Sequence, residues 1–117
     1  MKQAVWVLAM VLAASAAFAG ADDLVVGDWF HVTGCENGEL MVKEVFVWSL
    51  PAVTPGAKVV ATLSGGGKAG KCQGDVVKLV SKKMVGRRLF LRVHSPEKDR
   101  IGYIGAGFAG VKAKKGA

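Results

Sequence analysis

After a leading apolar run, the chain settles into short stretches of alternating apolar and polar residues, separated by turn-forming residues. Beyond residue 20 no stretch keeps an apolar period of 3.6 residues for three turns, so amphipathic helices are not expected there. The alternation predicts strands at Trp29–Val32, Met41–Trp48, Lys58–Leu63, Asp75–Val80, Arg87–His94 and Arg100–Ile104. Turns fall at Pro51 to Gly56 and at Ser95-Pro96-Glu97-Lys98-Asp99. Strands this short and this regularly spaced predict an all-β fold, a small barrel or sandwich in one domain.

The leading run has a different character. Met1-Lys2-Gln3 carries one positive charge, and Ala4 to Ala21 carry none. Ala17 and Ala19 place small residues at the −3 and −1 positions of a signal-peptidase site. The expectation is a signal peptide over residues 1–19 cleaved before Gly20, with cleavage before Asp22 as the alternative. No basic stop-transfer cluster follows, so the processed chain is expected to be periplasmic or secreted and not an integral membrane protein. In such a compartment the two cysteines, Cys35 and Cys72, read as one disulfide. The competing reading makes Cys35 a nucleophile with His31 as its base, which requires a free thiol.

Composition adds a charge asymmetry to this picture. The formal net charge is +7. Gly20 to Lys58 hold six acids against two lysines, whereas Val59 to Ala117 hold thirteen bases against three acids. A basic half suits an anionic partner, unless the acidic half folds onto it.

Two sequence matches are set aside. Gly65-x-x-x-x-Gly70-Lys71 continues with Cys72 where a phosphate-binding loop needs a magnesium-binding hydroxyl, and a turn and strand follow instead of a helix. Gly105-Ala106-Gly107-Phe108-Ala109-Gly110 fits the dinucleotide fingerprint, but seven residues remain after it, too few for a βαβ unit. That segment reads as a chain end leaving the barrel, and Lys112 to Lys115 as a frayed tail. His31 and His94 are the only histidines, so no metal-ligand spacing is present and no cofactor is expected. No constellation of acids, bases and nucleophiles suggests an enzyme.

From Lys43 to Phe108 the order of elements resembles the bacterial SH3 (SH3b) family. Val45-Phe46-Val47-Trp48-Ser49-Leu50-Pro51 is similar to the family's opening strand and turn, and Lys58-Val59-Val60-Ala61-Thr62-Leu63 to its K-V-I-G-T-L strand. Asp75–Val80, Phe90-Leu91-Arg92-Val93 and Gly102-Tyr103-Ile104 follow where the next three strands belong. The resemblance departs at Trp48, Leu50 and Phe90, and in the long Gly65–Gly74 loop. It implies a five-stranded SH3-like barrel without catalysis, binding cell-wall peptidoglycan or an envelope protein. The organisation expected is therefore a signal peptide (1–19), an N-terminal extension (20–40), the barrel (41–110) and a basic tail (111–117). An alternative role is an inhibitor or adaptor of an envelope enzyme, acting through the Gly65–Gly74 loop. Nucleic acid is a less favoured partner, suggested only by the Arg88/Phe90/Arg92 cluster.

Period-2 alternation assigns the sides of the strands. Leu89, Leu91 and Val93 go inward with Val45 and Val47. Arg88, Phe90, Arg92 and His94 go outward with Phe46 and Trp48. The candidate ligand face is thus Phe46, Trp48, Arg88, Phe90, Arg92 and Tyr103, with flat rings to stack and arginines to pair with carboxylates. The extension carries Leu24, Val25, Val26, Trp29 and Phe30, an apolar set that could instead cover those aromatics.

Overall fold

A computed structural model of the chain describes residues 20–67 and 70–114. The signal peptide and its cleavage motif lie outside the described residues. The described residues form nine strands: β1 (Trp29–Val32), β2 (Cys35–Glu36), β3 (Glu39–Leu40), β4 (Glu44–Trp48), β5 (Val59–Ser64), β6 (Val76–Val85), β7 (Arg88–Ser95), β8 (Arg100–Gly105) and β9 (Ala109–Ala113). Two short 3-10 turns, Gly20–Asp23 and Ala106–Phe108, complete the elements, and no α-helix occurs among the described residues.

Seven strands make one antiparallel sheet in the order β5-β4-β8-β7-β6-β1-β9, curled into a half-barrel, while β2 and β3 form a separate hairpin. The all-β expectation holds, but the sheet has seven strands, not five. Both additions come from segments read as peripheral. β1, assigned to an extension, inserts between β6 and β9 with Phe30 opposite Val77 and Lys112. β9 takes up residues read as a chain end and tail. Its sequence has too little apolar character to announce a strand; the unpaired edge of β1 supplies its ladder.

Alternation places Phe30, Val32, Val45, Val47, Leu63, Val77, Leu79, Leu91, Val93 and Ile104 in one buried core on the concave side. β6 runs five residues beyond the expected Val80 because it continues into a tight hairpin with β7. Gly86, at φ +61°, takes the left-handed position of the two-residue Gly86-Arg87 turn.

The curl brings the ends of β1 and β5 together. The Val32 N–H donates to the Asp75 carbonyl at 2.8 Å, and Gly74 N–H returns a bond to Val32 O at 2.8 Å. Asp75 N–H donates to Ser64 O at 3.1 Å, and the Asp75 carboxylate accepts from Ser64 N–H at 2.8 Å. Gly34 N–H reaches Gly65 O at 2.7 Å. Beside this knot Cys35 and Cys72 are joined in a disulfide.

Among the described residues, two ion pairs cross the charge divide. Lys71 meets Glu39 at 2.9 Å, and Lys112 meets Asp28 at 3.4 Å. Asp28 also accepts the Val25 N–H at 2.9 Å. That backbone bond, and to a lesser degree Lys112, hold its carboxyl below the ordinary aspartate value of 3.8. A carboxyl more acidic in the folded state adds stability above its unfolded value and loses it as pH falls through the folded one. Asp28→Asn is therefore expected to be less stable than the wild type at pH 7, with the gap closing below about pH 4. Urea unfolding at pH 7 and pH 3 checks this; a gap that does not change with pH would refute it.

Candidate functional site

All six candidate residues come from three adjacent strands, and alternation sets them on the convex face. Trp48 on β4 pairs with Tyr103 on β8, which pairs with Arg92 on β7, giving one row across the sheet. One step along, Gly105 of β8 pairs with Phe90 of β7, and Phe46 stands on the β4 side. Arg88 lies one step further on β7. The rings of Phe46 and Trp48 meet edge to face, their centroids 6.4 Å apart at 87°.

The two rows differ because β8, still paired with β7 at Gly105, parts from β4 between them. β4 and β8 pair only at Trp48 and Tyr103. At Gly105 the chain turns aside into Ala106–Phe108, which packs against the core from below. A groove of about 590 Å³ opens where β8 departs. Phe46, Trp48, Val42 and Glu44 form one wall; Arg88, Leu89 and Phe90 form the other. Ala52 and Val53 from the β4–β5 connection close one side, and Gly105 to Phe108 make the floor.

Four of the six candidates line this groove. Arg92 and Tyr103 lie in the adjoining row, outside the lining. Phe90 corrects the expectation of an exposed ring, being only 5% exposed. Its side of the strand was assigned correctly, since it stays out of the core cluster, but at this level the convex side of β7 is a groove wall. Phe46 remains 46% exposed. The early segment does not cover these rings. Leu24 and Phe30 are buried in the main core instead, and Val25 and Val26 face solvent.

Among the described residues, Glu44 and Arg88 are the only charged ones in the lining. They face one another from strands that run parallel, each antiparallel to β8. Among the described residues, Arg88 and Arg92 have no acidic partner within 4 Å. Ligand sites commonly combine a mostly apolar lining with a few convergent polar groups, a composition this groove shares.

The Cys35/His31 pair does not assemble. The Cys35 sulfur is bonded to Cys72, and the His31 Nδ1 lies 2.9 Å from the Gly74 carbonyl oxygen. His94 Nε2 stands 3.4 Å from the Asp99 carboxylate in the β7–β8 turn. Among the described residues no three of His, Cys, Asp and Glu gather as metal ligands would. The Gly65–Gly74 loop is braced over its described length, by the disulfide, by Lys71 to Glu39, and by Gly67 N–H donating to Gly70 O at 2.7 Å.

Comparison with protein-family models, curated proteins and solved structures finds no match. The groove therefore stands on its geometry alone.

Sequence reasoning missed the floor, Gly105 to Phe108, the closing side, Ala52 and Val53, and parts of both walls, Val42, Glu44 and Leu89. The signal for the floor was the small-residue run Gly105-Ala106-Gly107 just after a strand. It was read as an exit from the barrel because nothing local marks where a strand leaves its sheet.

Proposed function

We propose that the chain is an exported, non-catalytic binding module that holds an envelope ligand in the groove between β4 and β7. The carrying observation is the convergence of Phe46, Trp48 and Phe90 on one apolar groove with Arg88 and Glu44 at its walls. An envelope protein segment fits this lining better than a glycan, which needs a denser array of hydrogen-bonding groups than two charged side chains. The relation to SH3b barrels is part of this proposal for β4 to β8 alone, with β1 and β9 as additions outside it. The disulfide supports a periplasmic or secreted location, and no helix among the described residues is long and apolar enough to cross a membrane. Cleavage before Gly20 is favoured over cleavage before Asp22, because Ala21 is buried and its carbonyl accepts from Lys82 Nζ at 2.9 Å.

Phe46→Ala tests the reading. Phe46 is half exposed, so its loss should leave the melting temperature nearly unchanged. As a groove anchor its truncation should weaken binding about 30-fold. Met84→Ala, on an exposed apolar residue outside the groove, serves as the control. The wild type and both variants are compared for retention on immobilised envelope proteins and for cosedimentation with peptidoglycan. Equal retention of Phe46→Ala and Met84→Ala on both supports would sink the proposal. Selective loss on peptidoglycan alone would make the wall polymer the ligand.

A further inference from the structure

Three consecutive residues of β7, Arg88, Leu89 and Phe90, all touch the groove. Consecutive side chains of a strand point to opposite faces, so a cavity that meets all three lies beside the strand's edge and not over its face. On β4 the lining residues Val42, Glu44, Phe46 and Trp48 are alternate ones, so there the groove runs over the outer face; β8 stays on β7 as far as Gly105, and the groove is the slot that opens where β8 has parted from β4.

β4 borders this slot with an open edge. Its pairing with β5 runs from Glu44 to Trp48, whereas its pairing with β8 stops at Trp48. Gly65 N–H donates to Lys43 O, which sets the alternation of the β4–β5 ladder. Residues 43, 45 and 47 bond toward β5, so Glu44 and Phe46 turn their N–H and C=O groups toward the slot. The β7 side adds charge. Arg88 lines the slot, and Lys83 and Arg92 flank Phe90 on its strand pair and its own strand. Among the described residues none of these three cations has an acidic partner within 4 Å. Against them the opposite wall offers, among the described residues, only Glu44.

We infer that the slot accepts an extended peptide segment as an added strand, antiparallel to β4 along the edge that β8 leaves unpaired. This rests on the reading of the groove as the ligand site. The guest backbone bonds to Glu44 and Phe46, its apolar side chains alternate between the outer rings and Leu89 or Phe108 beneath, and its carboxylates meet Arg88 and the cations beside it. Main-chain pairing gives affinity, and the pockets on either side give selectivity.

The test begins with random decapeptides displayed on phage, selected on the exported, oxidised protein and counter-selected on its Gly107→Leu variant. Gly107 lines the slot, and a Cβ there meets nothing within 4 Å, so leucine should fill the slot without disturbing the fold. Enriched peptides should alternate apolar residues and carry Asp or Glu. A synthetic copy of the most enriched peptide should slow amide exchange at Glu44 and Phe46. N-methylation of its alternate amides should weaken binding about tenfold or more. Equal binding of the plain and methylated peptides, or no peptide enrichment, would overturn strand addition. If peptidoglycan then still binds the wild type and not Gly107→Leu, the groove remains the ligand site and only the strand mode fails. If Gly107→Leu retains every ligand bound by the wild type, the groove reading fails as well.

Discussion

Replacing both Cys35 and Cys72 by serine is expected to lower the unfolding free energy by about 4 kcal/mol. The two cysteines are 37 positions apart, and the bridge removes the freedom of that loop from the unfolded chain. Little in the folded state would compensate. The Lys71–Glu39 pair that also holds the hairpin to the loop is solvent-exposed, and such pairs contribute about 0–1 kcal/mol. In a domain of this size the loss corresponds to a fall in melting temperature of roughly 15–30 °C. Thermal unfolding followed by circular dichroism, on the oxidised wild type and the double variant, measures it. A fall under about 5 °C would mean that the hydrogen-bonded knot, not the bridge, holds this end together.

That knot carries the second large effect. A Cβ on Gly74 would overlap the carbonyl oxygens of both Ser64 and Val32, which accept hydrogen bonds from Asp75 and from Gly74 itself. Neither oxygen can retreat without breaking the link between β1 and β5. Gly74→Ala is expected to destabilise the protein by about 3 kcal/mol or more. Gly107→Ala is the matched control, since its Cβ enters open space and should change stability by less than about 0.5 kcal/mol. Urea denaturation of the pair decides. Equal midpoints would show that the backbone relaxes around the new methyl group.

Strands whose alternation is strong were legible in advance, because Val45, Val47, Leu91 and Val93 need the same core. The face assigned to Phe46, Trp48, Phe90 and Arg92 was legible for the same reason. Alternation says which side a residue takes, not what lies across from it, so the burial of Phe90 was not. The Cys35–Cys72 bridge could be read because only one pairing exists. The β2–β3 hairpin had a readable signal, the Asn37-Gly38 turn with φ of 53° and 80°, which was passed over. β9 had none, being Ala-Gly-Val-Lys-Ala, and it exists only because β1 leaves an edge to pair with. The resemblance to SH3b domains reached from Lys43 to Phe108 and so excluded both β1 and β9. The slot depends on where β8 stops pairing, a property of three strands together.

The earliest strand of the described chain, Trp29–Val32, finds its outer neighbour in the last, with Trp29 opposite Ala113. Pairs so distant in sequence form late, since the whole intervening chain must be closed into a loop first. For a polypeptide threaded through a membrane from its N-terminus, the sheet cannot be completed until residues 109–113 have emerged. On the proposed export, the last strand to emerge is the one that closes the sheet.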